Sequence, residues 1–161
     1  MALMNQLSQQ LGEALLDKGL VMTTAESCTG GGVATAVTDI AGSSAWFDRA
    51  FVTYSNEAKM EMLGVNVSTL EAHGAVSEPV VTEMVAGALA NSNASIGVSI
   101  SGVAGPGGGS EEKPVGTVCF GFQSEQGWQK IETCYFEGDR AQVRRQAVLH
   151  ALQVLLQYLT E

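Results

Sequence analysis

Apolar positions recur at helical spacing near both ends of the chain. Leu7, Leu11, Ala14 and Leu15 predict a helix over residues 5–18, closed by Gly19. Val143, Ala147, Leu149, Ala151, Val154, Leu155 and Tyr158 give residues 140–159 a broad apolar face behind a Gly138-Asp139 start. Between these ends the pattern switches repeatedly. The apolar run over 20–24 predicts a strand buried on both faces. A turn of small residues leads into a helix reaching about Thr38, and 39–44 is a loop. Aromatic and β-branched residues over 46–54 predict a strand or a strand pair. A polar cap and a terminal glycine frame a short helix over 55–64. Ser68-Thr69-Leu70-Glu71 has the spacing of a capping box, so another short helix starts there and ends before Gly74. Ser77-Glu78-Pro79 opens a longer helix to about Ala90. Residues 94–101 alternate as a central strand, 102–114 form a glycine-rich loop, and 115–123 with 128–136 form a hairpin. Helices before and between strands, with one hairpin, predict an α/β fold: a three-layer α/β/α sandwich with a mixed, mostly parallel central sheet. No linker or internal repeat interrupts it, so residues 1–161 read as a single domain.

Composition narrows the functional classes. A chain of 161 residues with 45% hydrophobic and 16% charged residues can bury a core and is not disordered. Its net charge of -9 argues against a nucleic-acid binder, whose affinity rests on Lys and Arg clusters. A small phosphorylated ligand needs only one or two well-placed donors and stays open. Cys28, Cys119 and Cys134 are odd in number and lack metal-ligand spacing, which predicts free thiols in a reducing compartment. The N-terminus does not read as a signal peptide, and no apolar stretch is long enough to span a membrane. The expected location is the cytoplasm, with no membrane partner.

Candidate chemistry centres on the turn Thr23-Thr24-Ala25-Glu26-Ser27-Cys28-Thr29-Gly30-Gly31-Gly32. A strand turning through small residues into a helix gathers backbone N–H groups at the positive end of the helix dipole. Ser27 there is a candidate nucleophile, with Thr29, Gly30 and Gly31 as candidate oxyanion or ligand donors. The alternative is that Ser27 and Thr29 only cap a helix. Lys59 follows Tyr54-Ser55-Asn56 near the start of a short helix. In solvent it is a plain charge; buried beside a serine it loses its proton more readily and can act as a base. A Cys28–His73 thiol pair is a rival arrangement. His150 lies inside the last helix and reads as a surface or core residue. Both histidines look isolated from carboxylates, which gives no metal site. Ser101-Gly102-Val103-Ala104-Gly105-Pro106 follows a predicted strand and can cradle a phosphate or complete an oxyanion hole, but it lacks the Gly-Lys-Ser/Thr ending of a P-loop. Arg140, at the start of the last helix, offers a phosphate or carboxylate contact or simply points into solvent. Arg144 and Arg145 read as surface or interface residues.

Taken together, Thr24-Ala25-Glu26-Ser27-Cys28-Thr29-Gly30-Gly31, Val52-Thr53-Tyr54-Ser55-Asn56-Glu57-Ala58-Lys59, His73-Gly74-Ala75-Val76-Ser77, Ser101-Gly102-Val103-Ala104-Gly105-Pro106, Lys113-Pro114-Val115-Gly116-Thr117-Val118 and Gly138-Asp139-Arg140 resemble the CinA C-terminal domain family. The resemblance covers almost the whole chain. Stand-alone bacterial members of that family include nicotinamide-nucleotide amidases. It implies hydrolysis of nicotinamide mononucleotide to nicotinic acid mononucleotide and ammonia, in pyridine-nucleotide recycling for NAD synthesis. Ser27 and Lys59 match the family's Ser–Lys pair, and Tyr54 matches a supporting catalytic position. Asn56, Ser101, Gly102 and Arg140 match ligand-contacting positions. The implied partner is a pyridine mononucleotide, without metal or organic cofactor, and the implied assembly is a homodimer. The broad apolar faces of the first and last helices, with Trp46 and Tyr158, suit a dimer interface or a core. A pyridine-nucleotide-binding or partner domain without catalysis is the alternative function.

Overall fold

The computed structural model describes residues 2–161. A five-stranded sheet runs through the molecule: β1 (Met22–Glu26), β2 (Phe47–Val52), β3 (Ile96–Gly102), β4 (Thr117–Ser124) and β5 (Gln129–Tyr135). Their spatial order is β2-β1-β3-β4-β5. β1 pairs in parallel with β2 and β3, while β3–β4 and β4–β5 are antiparallel. Four strands therefore point the same way and β4 alone is reversed, which matches the mixed, mostly parallel sheet expected from the sequence.

Helices α1 (Ala2–Lys18), α2 (Gly32–Thr38) and α6 (Arg140–Thr160) cover one face. Helices α3 (Asn56–Leu63), α4 (Val67–His73) and α5 (Glu78–Ala90) cover the other. The larger core lies under the first layer, where Leu11, Leu15, Val37 and Leu152 meet Ile96, Ile100, Phe120 and Phe122. Burying each of these side chains contributes roughly 1.5–3 kcal/mol. The opposite face is built from small residues, which brings α5 close. The Ser99 hydroxyl donates to the Val81 carbonyl at 2.6 Å, and a Cβ on Gly121 would stand 2.6 Å from that same carbonyl oxygen. The chain leaves β1 through α2 on one face to reach β2, then returns through α3–α5 on the other face to reach β3. The direction of travel thus reverses at β1, and in open α/β sheets the carboxyl ends of strands at such a reversal form a ligand crevice.

Two local expectations are corrected and one open alternative is decided. β1 starts at Met22 rather than residue 20, because Leu20 closes α1: its N–H donates to Leu15 and that of Gly19 to Leu16. Residues 46–54 yield one edge strand, not a pair, since Trp46 turns inward and is 2% exposed, packed against Gly12. The capping box at Ser68 does not form. α4 begins at Val67, and Glu83 of α5 serves its start, accepting from the Asn66 N–H at 2.8 Å and the Thr69 hydroxyl at 2.6 Å. The apolar faces of α1 and α6 are used in the core, and Tyr158 stacks on Trp128 with ring centroids 3.8 Å apart.

Candidate active site

The Ser27 turn stands at the carboxyl end of β1, clamped from several sides. The Ser27 N–H donates to the Ile100 carbonyl at 2.9 Å, extending the sheet pairing one residue beyond the strand. Gly30 and Gly31 then take φ of +58° and +94°, a backbone region that favours glycine. Glu26 is fully buried and turns its carboxylate to the start of α2. It accepts from the N–H groups of Val33 (2.9 Å) and Ala34 (3.0 Å) and from the hydroxyls of Thr29 (2.7 Å) and Thr24 (3.0 Å). Glu26 therefore does the capping that the sequence offered to Ser27 or Thr29, and Ser27 Oγ is left for other work. From α6, the Arg144 guanidinium donates to the carbonyls of Cys28 (3.0 Å) and Thr29 (3.2 Å). Arg144 is thus an internal fastener of the turn, which corrects its reading as a surface or interface residue.

Lys59 reaches the turn from α3, whose start is capped by the Ser55 hydroxyl accepting from the Ala58 N–H at 3.0 Å. Its side chain is 1% exposed. The Lys59 Nζ lies 3.0 Å from Ser27 Oγ, 2.9 Å from the Thr53 carbonyl and 3.4 Å from the Tyr54 carbonyl. Among the described residues no carboxylate lies within ion-pair distance of it. Burial without a counter-ion pulls the ammonium below the ordinary lysine value; the nearby Cys28 sulfur acts in the opposite sense only when ionised. A neutral amine has two protons and one lone pair. Donating to the two carbonyls leaves the lone pair for the Ser27 hydroxyl.

The rival thiol pair finds no support in this geometry. Burial pushes the Cys28 thiol up to about 12, so it is protonated at neutral pH. His73 is exposed at the end of α4 and lines a different cleft of about 380 Å³, together with Ser77, Lys113 and Tyr135.

Ser27 and Lys59 open onto a cleft of about 200 Å³. Tyr54, Asn56, Ser101, Gly102 and Arg140 line it too, brought from the β2–α3 connection, the start of α3, the end of β3 and the start of α6. Arg140 donates to the Tyr54 hydroxyl at 2.9 Å and the Gly105 carbonyl at 2.8 Å, bridging the two walls. Gly102 faces Cys28, and a Cβ there would meet Val118 Cγ2 at 2.7 Å and the Thr117 carbonyl oxygen at 2.9 Å. Thr29, Gly30 and Gly31 do not line the cleft. Thr29 is buried with its hydroxyl on Glu26, and the Gly30 N–H is engaged by the Ser27 carbonyl at 3.0 Å. Their place is in the framework of the turn. Glu26 and Arg144 were missed as framework residues. An acid in an otherwise uncharged buried strand was a usable signal for Glu26; Arg144, 116 residues from Cys28, gave none. His150 is not isolated from carboxylates: its ring nitrogen is hydrogen-bonded to Glu132.

Comparison with known proteins identifies the family. Residues 4–159 match the family described as the CinA C-terminal domain. The chain is 62% identical to nicotinamide-nucleotide amidohydrolase PncC of Escherichia coli K12, covering 94% of this chain and 92% of that protein. It is 58% identical to the protein of the same name from Enterobacter agglomerans, over 95% of this chain and 93% of the relative. Among solved structures, the competence/damage inducible protein CihA of Agrobacterium tumefaciens superposes with a TM-score of 0.94, 43% identity, and coverage of 99% of this chain and 96% of that one. With the family model matching nearly the whole chain and relatives at this identity and coverage, the chain belongs to the CinA C-terminal domain family.

Proposed function

We propose that this chain is a nicotinamide-nucleotide amidase that hydrolyses nicotinamide mononucleotide to nicotinic acid mononucleotide and ammonia by a Ser–Lys mechanism. The observation that carries the reading is the buried Lys59 amine 3.0 Å from the Ser27 hydroxyl, with no counter-ion beside it among the described residues. Similarity to proteins named as nicotinamide-nucleotide amidohydrolases supports the substrate. Neutral Lys59 takes the Ser27 proton as Ser27 Oγ attacks the carboxamide carbon. The oxyanion is met by donors at the Ser101-Gly102 wall of the cleft, since the Gly30 amide is engaged within the turn. Collapse breaks the C–N bond, and the proton held on Lys59 passes to the leaving nitrogen, with Tyr54 alongside. Water, deprotonated by Lys59, then cleaves the acyl-serine and restores both groups. Asn56 orients the ring carboxamide. Arg140, with N–H groups beyond the two it uses internally, holds the phosphate. The same proposal places the enzyme in the cytoplasm, in pyridine-nucleotide recycling and as a homodimer; the family resemblance carries these three points.

The test is ammonia release from nicotinamide mononucleotide by the wild type beside Ser27→Ala and Lys59→Ala, with chelator present. Release by the wild type alone is expected. Saturable nucleotide binding without release by the wild type would replace the amidase by a binding domain.

A further inference from the structure

Far along the sheet from the Ser27 cleft, Glu132 and Cys134 sit two residues apart on edge strand β5, so both side chains fall on one face. His150, in the middle of α6, packs onto that face. The three ligand atoms lie within 4.8 Å of one another. Cys134 Sγ is 3.5 Å from His150 Nε2 and 3.6 Å from Glu132 Oε1, while Glu132 and His150 share a direct hydrogen bond. A tetrahedral zinc ion with bonds of about 2.3 Å to sulfur and about 2.0–2.1 Å to nitrogen or oxygen requires sulfur-to-nitrogen and sulfur-to-oxygen separations of about 3.5 Å. Two edges of the triangle already have that length. Opening the Glu132–His150 hydrogen bond supplies the third.

From this geometry we propose that Glu132, Cys134 and His150 bind one thiophilic divalent cation, Zn²⁺, with water in the fourth position. Thiolate, imidazole and carboxylate together suit zinc better than calcium or magnesium, which favour oxygen alone. A thiolate and a carboxylate also neutralise the ion's two charges. The imidazole is held against the Phe120 ring at a centroid distance of 4.7 Å and against Phe136 at 6.0 Å. The side chains of Glu132 and His150 are 22% and 26% exposed, which leaves an entry path. Lys130 stands against the site, 3.2 Å from the other Glu132 oxygen; it is 45% exposed and can turn into solvent. The ligand is the thiolate, so cation binding displaces the Cys134 proton. A cation here would tie the edge strand to α6, the helix that carries Arg140 and Arg144. Sequence spacing hid the group because its members come from two elements that meet only in the fold.

The test uses the untagged full chain, stripped with chelator and titrated with Zn²⁺ alone, then separately with Co²⁺. One Zn²⁺ per chain with proton release is expected. Co²⁺ should give a thiolate-to-cobalt charge-transfer band and the intense visible bands of a four-coordinate ion. Cys134→Ser and His150→Gln should weaken Zn²⁺ binding by about tenfold to a hundredfold or more, while Cys119→Ser leaves it unchanged. The cobalt–thiolate band of the wild type needs no variant. Its absence, or undiminished Zn²⁺ binding by Cys134→Ser, would overturn the proposal.

Discussion

Replacing Glu26 probes the framework that holds Ser27. Its two oxygens each accept two hydrogen bonds: Oε1 from the Thr29 hydroxyl and the Val33 N–H, Oε2 from the Thr24 hydroxyl and the Ala34 N–H. The hydroxyls can rotate. The amides cannot, because α2 fixes them. Glu26→Gln keeps the shape but offers one oxygen and one NH₂, so whichever way the amide is turned, one backbone N–H faces another donor. A buried donor without a partner costs about 1–3 kcal/mol, so we expect Glu26→Gln to lose about 2 kcal/mol. Glu26→Ala strands both amides and opens a cavity, for a loss of about 4 kcal/mol or more. Either is a large share of the roughly 5–15 kcal/mol that stabilises a domain. At about 2–4 °C per kcal/mol for this chain length, Tm should fall by about 4–8 °C for Gln and about twice that for Ala. The assay is equilibrium urea unfolding by circular dichroism, with m compared against wild type, beside calorimetric Tm. Because Ser27 is the next residue, Glu26→Gln should also lower kcat more than it raises KM. A Glu26→Gln protein within about 0.5 kcal/mol of wild type, the usual range for a surface substitution, would refute the reasoning.

Lys59→Ala and Lys59→Arg should both abolish ammonia release while far-ultraviolet circular dichroism stays native, since the first removes the base and the second cannot lose its proton. In the wild type log(kcat/KM) should rise with pH and level off at the lowered Lys59 value, below the ordinary lysine range. A profile that falls as pH rises through that range would exclude a neutral Lys59. The same shift gives a stability signature. Native Lys59 releases its proton at lower pH than the unfolded chain, so stability rises with pH between the lowered and the ordinary value. That increment should be missing from Lys59→Met in paired urea titrations. Arg140→Ala should raise KM by about tenfold to a hundredfold with kcat little changed, the loss of a charge-assisted contact to phosphate. Gly87→Ala should lower Tm sharply, because its Cβ would collide with the Leu63 carbonyl where α5 crosses α3.

Local signals located most of the secondary structure. Ser77 with Pro79 announced α5 at the residue where it begins, and Asp139 with Gln142 makes the capping box that starts α6. These signals work because a cap is made by neighbours in the chain. Where a neighbour in space replaced one in sequence, they failed. Ser68 lost the start of α4 to a carboxylate from Glu83, and Leu20 was taken from β1 by the end of α1. The site divides in the same way. Ser27, Tyr54, Asn56, Lys59, Ser101, Gly102 and Arg140 line one cleft, and each sits in a block that is unusual on its own. Arg144, which fastens the turn from α6, carries no such mark, because an arginine in the first turns of a helix is ordinary until the fold sets it beside Cys28.

Strand alternation explains how one turn holds both a carboxylate and a lysine that needs to lose its charge. Ala25 packs with α5, whereas Glu26 points to the opposite face and is bound by the start of α2. Lys59 approaches from the α3 side. Had Glu26 faced that side, its negative charge beside the ammonium would have favoured the protonated lysine and opposed the effect of burial. Placing the pair on opposite faces of β1 avoids this. The carboxylate's charge serves the α2 amides, and the lysine is left with two carbonyls and one hydroxyl, none of them a counter-ion to offset the desolvation that lowers its value. The crevice at the reversal of strand order supplies the room, and the pleat of one central strand supplies the separation of charge.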